Sequence, residues 1–330
     1  MAAYTTIDDS GLFFNTKLYT GTGSSNAVTG VGFQPDFTWF KNRAATTHNT
    51  LFDAVRGANK VIYANLTAQQ YTVTQELKSF DSDGFTVGTE TAENGNGNAI
   101  ASWNWKANGS GSSNTDGSIN TIKTSANTTS GFSIVNYTGT GSNATVGHGL
   151  GAAPKVVIYK RTDAANNWFM YNENIGNTKY LNLDTAGAEA TYNVFQNTNP
   201  SSTLLYVSGD SGANASSGTY VAYCFAEKQG YSKFGSYKGN GNNNGTFTYL
   251  GFKPAFLIIR RTDTGNSWYV YTGKASTSGG NLTDRYLEAN EALVEATTTG
   301  EYGFDFLSNG FKSTGTGGGT NDGSGTYIYM

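Results

Sequence analysis

Aromatic side chains stand beside acidic and amide side chains in a pattern that occurs twice, 100 residues apart. The first copy consists of Asp163, Asn166, Trp168 and Tyr171, and the second of Asp263, Asn266, Trp268 and Tyr271. Rings of this kind can stack on sugars, while carboxylates and amides can bond sugar hydroxyls. These eight residues are therefore candidates for a glycan-binding site or a subunit contact. We favour the alternative that the tryptophans fill a core or an interface, as large aromatic residues usually do.

An arginine precedes each copy of this pattern, at Arg161 and Arg261. Either guanidinium could pair with a carboxylate at a subunit contact. Because Asp and Asn bond their own backbone in turns, and because apolar runs flank both copies, the pattern also predicts a β-hairpin. The element that carries the candidate residues is thus a hairpin in both copies.

Side chains suited to catalysis or metal binding are few. The sequence contains two histidines, His48 and His148, at unrelated positions, and one cysteine, Cys224. A zinc site needs a cluster of such ligands, so we expect no metal and no cofactor. Glycoside hydrolysis would need two converging carboxylates, and no acidic pair recurs in all three of the repeats defined below. We expect no enzymatic activity, whereas an acidic cleft within one repeat would indicate a polysaccharide-degrading enzyme.

Composition excludes several classes of protein. The 330 residues carry 21 basic and 24 acidic side chains, with no basic run that could follow a phosphate backbone, which argues against nucleic-acid binding. No stretch is apolar for long enough to form a membrane helix, and no signal peptide is recognisable, so we expect folding in the cytoplasm and no membrane insertion. Aromatic residues make up 14% of the chain, which favours twisted sheets. The apolar residues around Cys224 predict a buried thiol inside a strand.

An internal repeat gives the strongest signal. Three of the four prolines, Pro35, Pro154 and Pro254, precede similar apolar runs and lie 119 and 100 residues apart. A Tyr-x-Gly-x-Gly motif recurs at nearly the same spacing, starting at Tyr19, Tyr137 and Tyr237. Each unit is as long as a domain, which argues for tandem domains rather than solenoid turns.

The repeats divide the chain into three predicted domains. Repeat 1 covers residues 1–107, repeat 2 covers 119–228 and repeat 3 covers 229–330. The Gly/Ser/Asn-rich segment 108–118 is predicted to be a flexible linker. We expect repeat 1 to move against the others, and repeats 2 and 3 to contact each other. The closing strand of repeat 3 stops at Met330, part-way through the repeated pattern, so we expect further residues or a partner strand to complete it.

Short segments rich in Val, Ile, Tyr, Phe and Trp, bounded by Gly, Asn and Asp, predict an all-β fold. Asp83-Gly84 and Asn309-Gly310 each separate apolar residues and predict hairpins. We predict three tandem related β-sandwiches, jelly-roll or concanavalin-like, with the strand order left open. Repeat 1 lacks the tryptophan of the paired motif, and its segment 53–65 predicts a short helix capped by Asp53.

Several stretches of this sequence resemble a repeat family of marine bacteriophages. They are residues 32–43, 51–58, 80–88 and 220–237, and the resemblance extends over nearly the whole chain. The family is described as tail-associated, fibre-like or concanavalin-like, and its function is uncharacterised. The resemblance implies a virion component that is assembled in the host cytoplasm and has other virion proteins as partners. It carries over no catalytic residues.

Three functions are compatible with these observations. The first is a tail appendage or fibre-like protein that is homo-oligomeric, with a trimer as one arrangement, and contacts a host surface glycan or protein. The second is a capsid decoration or head-fibre protein bound to the major capsid protein through the divergent repeat 1. The third is a polysaccharide-degrading tail enzyme. We favour them in that order, since tandem domains suit multivalent contact.

Overall fold

The computed structural model describes residues 4–277, 280–298 and 300–330. Almost all of its regular structure is antiparallel β-sheet, which confirms the predicted all-β class. The helical elements are one four-residue α-helix and two short 3-10 turns, Ser10–Leu12 and Gly273–Ala275, among the described residues. Each repeat region builds one large sheet and one small sheet.

In repeat 1, the large sheet has the order β1-β9-β3-β4-β5-β6 and the small sheet the order β2-β8-β7. The elements are β1 Phe14–Thr20, β2 Asn26–Thr29, β3 Phe37–Asn42, β4 Thr50–Asp53, β5 Lys60–Tyr63, β6 Tyr71–Thr72, β7 Leu77–Asp81, β8 Gly84–Val87, α1 Thr91–Asn94 and β9 Ala99–Trp105. The closing strand β9 thus lies between the first and third strands, which explains why residues on both of its faces are buried.

In repeat 2, the large sheet has the order β10-β11-β18-β13-β14-β15-β16, and β12 pairs with β17. The strands are β10 Lys123–Asn127, β11 Phe132–Thr138, β12 Ala144–Gly147, β13 Val156–Arg161, β14 Phe169–Asn172, β15 Lys179–Asn182, β16 Ala190–Thr191, β17 Leu204–Val207 and β18 Thr219–Phe225. Cys224 is buried inside β18 as a free thiol, and burial raises its pKa to about 12.

In repeat 3, the large sheet has the order β19-β28-β21-β22-β24-β25 and the small sheet the order β20-β27-β26-β23. The strands are β19 Gly235–Lys238, β20 Phe247–Tyr249, β21 Phe256–Arg261, β22 Tyr269–Thr272, β23 Leu282–Thr283, β24 Arg285–Glu288, β25 Ala296–Thr297, β26 Phe304–Leu307, β27 Gly310–Ser313 and β28 Thr326–Tyr329. Met330 continues the pairing of β28 by exchanging two backbone hydrogen bonds with Ile258.

The predicted hairpins are confirmed, but the predicted helix is wrong. β7 pairs with β8, β26 with β27, β13 with β14 and β21 with β22, all antiparallel. Segment 53–65 instead forms the end of β4, a turn, and β5. Asp53 does cap that turn, accepting a hydrogen bond from the Arg56 backbone N–H at 2.8 Å, but pairing with β4 holds the following residues extended.

Alternating residues of each large sheet face two different cores. In β13, Val156 and Ile158 point into a core that all three repeats share, while Val157 and Tyr159 point into the core of repeat 2 alone. Repeats 1 and 3 have their own outer cores of the same kind. Trp39, Ile158 and Ile258, which hold the same repeat position, line one small internal cavity. The three large sheets therefore surround a common centre.

The segment between repeats 1 and 2 is hydrogen-bonded in the structure. The backbone N–H of Asn108 donates to Ser125 Oγ at 2.8 Å, and Ser112 pairs with Thr124 of β10. Its composition predicted a flexible linker, yet these bonds fix it along an edge strand. Repeat 1 also shares the central core, so the structure gives the repeats a common interior in place of the independent movement expected from the sequence.

Candidate functional site

Equivalent backbone hydrogen bonds join the three repeats into a closed ring. Gln70 in repeat 1 donates to the Thr162 carbonyl in repeat 2 at 3.0 Å, and Glu189 in repeat 2 donates to the Thr262 carbonyl in repeat 3 at 2.8 Å. Glu295 in repeat 3 completes the circle by donating to the Arg43 carbonyl in repeat 1 at 3.0 Å. The accepting residues lie 119 and 100 residues apart, at one repeat position, so the ring has an approximate three-fold arrangement.

The two predicted tryptophans lie at these junctions. Trp168 is fully buried and donates its indole N–H to the Tyr63 carbonyl of repeat 1 at 2.9 Å. Trp268 is almost fully buried and donates in the same way to the Asn182 carbonyl of repeat 2 at 2.9 Å. Both rings pack in the shared core. Their burial favours the packing interpretation, in which each indole attaches one repeat to the next.

The two predicted tyrosines face away from the tryptophans. Tyr171 and Tyr271 are buried in the outer cores of repeats 2 and 3, on the opposite face of the sheet from Trp168 and Trp268. Their hydroxyls donate to Asn199 Oδ1 at 3.2 Å and to the Tyr302 carbonyl at 2.7 Å. The structure therefore does not bring the four rings together on one exposed surface.

The acidic and amide members of the motif stabilise their own turns. Asp163 binds the Arg161 guanidinium at 3.0 Å and accepts the Thr219 backbone N–H. Asp263 does the same with Arg261 and Thr326. The two arginines thus pair with carboxylates inside their own repeats. The Asn166 side chain donates to the Ser211 carbonyl, and Asn266 Oδ1 accepts from the Tyr269 hydroxyl.

Repeat 1 has an asparagine where the other repeats have tryptophan. Asn49 holds the position of Trp168 and Trp268, and its amide donates to the Glu288 and Glu291 carbonyls of repeat 3 at 3.1 and 2.8 Å. Its Oδ1 accepts the indole N–H of Trp39 at 3.2 Å. This junction thus also has a side-chain N–H that donates to a carbonyl of the neighbouring repeat. The indole ring comes from Trp39 on the neighbouring strand.

Repeat 1 also buries a pair of carboxyl groups. Glu93 on α1 is fully buried and accepts a short hydrogen bond from the Thr50 hydroxyl, while its Oε2 and the Oε2 of Glu76 are buried without a hydrogen-bond partner. Burial, with the charge of Glu90 adding to it, raises the pKa of Glu76 to about 7. Burial and then the charge of Glu76 raise the pKa of Glu93 well above its usual value. No cation is among the charges that shift either pKa.

The corresponding space in repeats 2 and 3 is filled by aromatic rings. Phe169 and Tyr269 hold the position of Thr50. Glycines next to them, Gly212 and Gly319, allow close approach, because an added Cβ would lie 2.5 and 2.3 Å from the rings. Repeat 1 therefore has the carboxyl groups of Glu76 and Glu93 where the other repeats have a packed ring. Because Glu93 is fully buried, these two groups do not form an open acidic cleft.

A cleft of about 460 Å³ opens between repeats 1 and 3. Its walls come from β1 with the preceding 3-10 turn, from the proline segment before β21, and from the region of β22 to β23. Lys253 and Lys274 are exposed in it. Lys274 Nζ donates to Asn15 Oδ1 and to the Thr16 carbonyl at 2.7 Å each, and Lys253 Nζ donates to Asn281 Oδ1 at 2.9 Å. Both ammonium groups thus bond neutral oxygens.

A family model described as "Domain of unknown function (DUF7483)" matches residues 9–330. The chain belongs to this DUF7483 family. No curated protein and no solved structure matches it.

Within the part of the chain that the structure describes, no three His, Cys, Asp or Glu side chains are placed to hold a metal ion. The described helices include none that is long and apolar enough to span a membrane.

Sequence reasoning identified the junction tryptophans but missed their partners and the two sites outside the motif. Asn49 could have been found, since it lies 119 residues before Trp168, the same offset as the prolines. Glu76 and Glu93 carry no such signal, because they have no equivalent in the other repeats. Lys274 meets Asn15 only through the closure of the ring, which no local pattern indicates.

Proposed function

We propose that this protein is a structural component of a bacteriophage virion, exposed on the particle as a tail appendage or fibre-like protein that takes part in host-surface recognition. The observation that supports this proposal is the closed ring of three β-sandwich repeats around one core. In this arrangement the tryptophans of the repeated motif serve cohesion, and the outer sheets and loops are available for contacts. The sequence resemblance supplies the phage context.

A ring of three related lobes suits attachment for a physical reason. One chain presents three similar surfaces at fixed spacing, so that a second and third contact form at high effective concentration after the first. Homo-oligomerisation, for example as a trimer, would multiply these contacts. The partners in this proposal are other virion proteins and a host surface glycan, and no enzymatic activity is required.

Capsid decoration is the second candidate, and the approximate three-fold arrangement of the repeats favours it. A chain of this shape could dock where three capsid subunits meet, because symmetric assemblies offer three similar contacts at such a point. Repeat 1 differs from its siblings at Asn49 and at the buried carboxyl pair, so it would be the repeat that contacts the major capsid protein.

Localisation within intact particles tests both candidates. Cryo-electron microscopy of virions, with antibody labelling of this protein, should show density at the tail, and the purified protein should compete with particles for adsorption to host cells. Density over the capsid lattice would replace the tail assignment with decoration. Detection of the protein only in infected cells, and never in purified particles, would overturn the proposed virion role.

A further inference from the structure

We propose that the cleft between repeats 1 and 3 binds an anionic saccharide, a sugar unit that carries a carboxylate. This inference rests on the proposed function, since it names the ligand class that the exposed protein would recognise. The volume of about 460 Å³ falls within the range of small-molecule sites in proteins. The cleft is formed only when the ring closes, because its walls belong to the first and the last repeat.

The charge of the cleft indicates the sign of its ligand. Two of its lining side chains are lysines, and none of the lining residues that the structure describes is acidic. Lys17 adds a third positive charge nearby, and burial together with that charge lowers the pKa of Lys274. In a chain with net charge −3, this cleft is a local positive site. An anion would be attracted to it from solution.

Among the described contacts, some lysines of the protein form ion pairs with carboxylates, whereas the two lysines of the cleft do not. Lys155, Lys179 and Lys233 each form an ion pair with a glutamate, respectively Glu173, Glu189 and Glu227. Lys253 and Lys274 bond only amide and carbonyl oxygens among the described contacts, so their charges are not neutralised. A ligand carboxylate would supply the missing counter-charge through charge-assisted hydrogen bonds.

The remaining lining favours a sugar over a simple ion. Polar and apolar side chains line the cleft together with the lysines. The polar ones include Ser10 and Asn281, and the apolar ones are Phe14, Pro254 and Phe306. The Ser10 hydroxyl and the Asn281 amide could bond ring hydroxyls, while the apolar side chains could contact the carbon face of the ring. A combination of few charges, neutral polar groups and apolar lining is typical of sites for polar organic ligands.

Titration calorimetry of the full chain with oligogalacturonate, and with a neutral oligosaccharide of the same length, tests the inference. We expect binding of the acidic probe, weakened by added salt, and no binding of the neutral one. The variants Lys253→Gln and Lys274→Gln together should reduce affinity by about tenfold or more, which corresponds to about 1.4 kcal/mol. Lys155→Gln is the matched control, and it should leave affinity unchanged.

Several outcomes would overturn the inference. Equal binding of neutral and acidic probes, no binding of the acidic probe, or full affinity in the double variant would each do so. Lys253→Gln alone guards against misfolding. Lys253 is exposed and, among the described residues, its hydrogen bond is to Asn281, so a melting temperature equal to that of the wild type is expected. If the protein fails to bind the acidic saccharide but is found at the tail of particles, only the ligand class is contradicted. If it binds the saccharide but is absent from particles, only the virion role is contradicted.

Discussion

Arg43 in repeat 1 and Glu295 in repeat 3 form a bidentate ion pair, although 252 residues separate them in the sequence. Arg43 Nε lies 2.7 Å from Oε1 and Nη2 lies 2.8 Å from Oε2, and both side chains are largely buried. The same two residues share the backbone bond that completes the ring. This pair thus joins the first and last repeats at the junction where Asn49 holds the position of the tryptophan.

Removing one member of this pair should loosen the ring. We expect Glu295→Gln to lower the free energy of unfolding by about 2 kcal/mol, because it leaves a largely buried guanidinium without its counter-charge. Urea unfolding followed by tryptophan fluorescence would measure the change. Glu173→Gln removes one member of an exposed pair and serves as the control, with an expected change below about 0.5 kcal/mol. Equal effects of the two substitutions would contradict the assigned role.

The junction tryptophans should matter for stability rather than for ligand binding. Trp268→Phe keeps a buried ring but leaves the Asn182 carbonyl without its donor, which should cost about 1 to 3 kcal/mol. Trp268→Ala should cost about 3 to 5 kcal/mol, because it also creates a cavity. Thermal unfolding measures both. Trp168→Phe, at the equivalent junction, should have a similar effect. If a substitution abolished glycan binding without lowering the melting temperature, that result would instead support a binding role.

Stability should fall as pH rises, because of the carboxyl pair in repeat 1. The pKa of Glu76 is raised to about 7 in the folded chain, against about 4.3 when unfolded, so the folded state holds more protons between these values. The contribution of this pair to the free energy of unfolding should therefore decrease from about pH 4 through pH 7, and further at higher pH as Glu93 ionises. Urea midpoints at pH 5, 6, 7 and 8 would measure this decrease.

The variant Glu76→Gln assigns the pH effect to its source. The amide cannot ionise, so the variant should lose stability less steeply with pH and should exceed the wild type above pH 7. Glu173→Gln, whose carboxylate is exposed, should keep the wild-type slope. A Glu76→Gln profile that ran parallel to the wild type at every pH would rule out this carboxyl group as the cause.

A methyl group added at Gly212 should disturb repeat 2. Its Cβ would lie 2.5 Å from the Phe169 ring, so the ring or the backbone must shift, at a cost of about 1 to 3 kcal/mol. Repeat 1 has Ala92 at the corresponding place beside the smaller Thr50, and Ala92→Gly should cost only about 1 kcal/mol in backbone entropy. Unfolding free energies of the two variants provide the comparison. A neutral Gly212→Ala would contradict the close packing.

The sequence by itself determined the local elements and their repetition. Proline and Tyr-x-Gly-x-Gly anchors placed equivalent strands, and Asp-Gly and Asn-Gly pairs placed hairpins, because turn preferences and alternating apolar residues act over a few neighbours. The preference for packing at Trp168 and Trp268 also followed from residue type. The helix predicted at 53–65 failed, since pairing of β4 with β5 outweighed the local capping signal of Asp53.

Tertiary structure alone decided how the repeats meet. A sequence of three units with a Gly/Ser-rich connection is compatible with separate domains, and only the common core shows that Trp39, Ile158 and Ile258 share one interior. The ion pair of Arg43 with Glu295, the carboxyl pair in repeat 1 and the lysine-lined cleft depend on contacts between residues far apart in the chain. Local preference cannot specify such contacts, because the free energy that forms them comes from burying surfaces that meet only after the ring has closed.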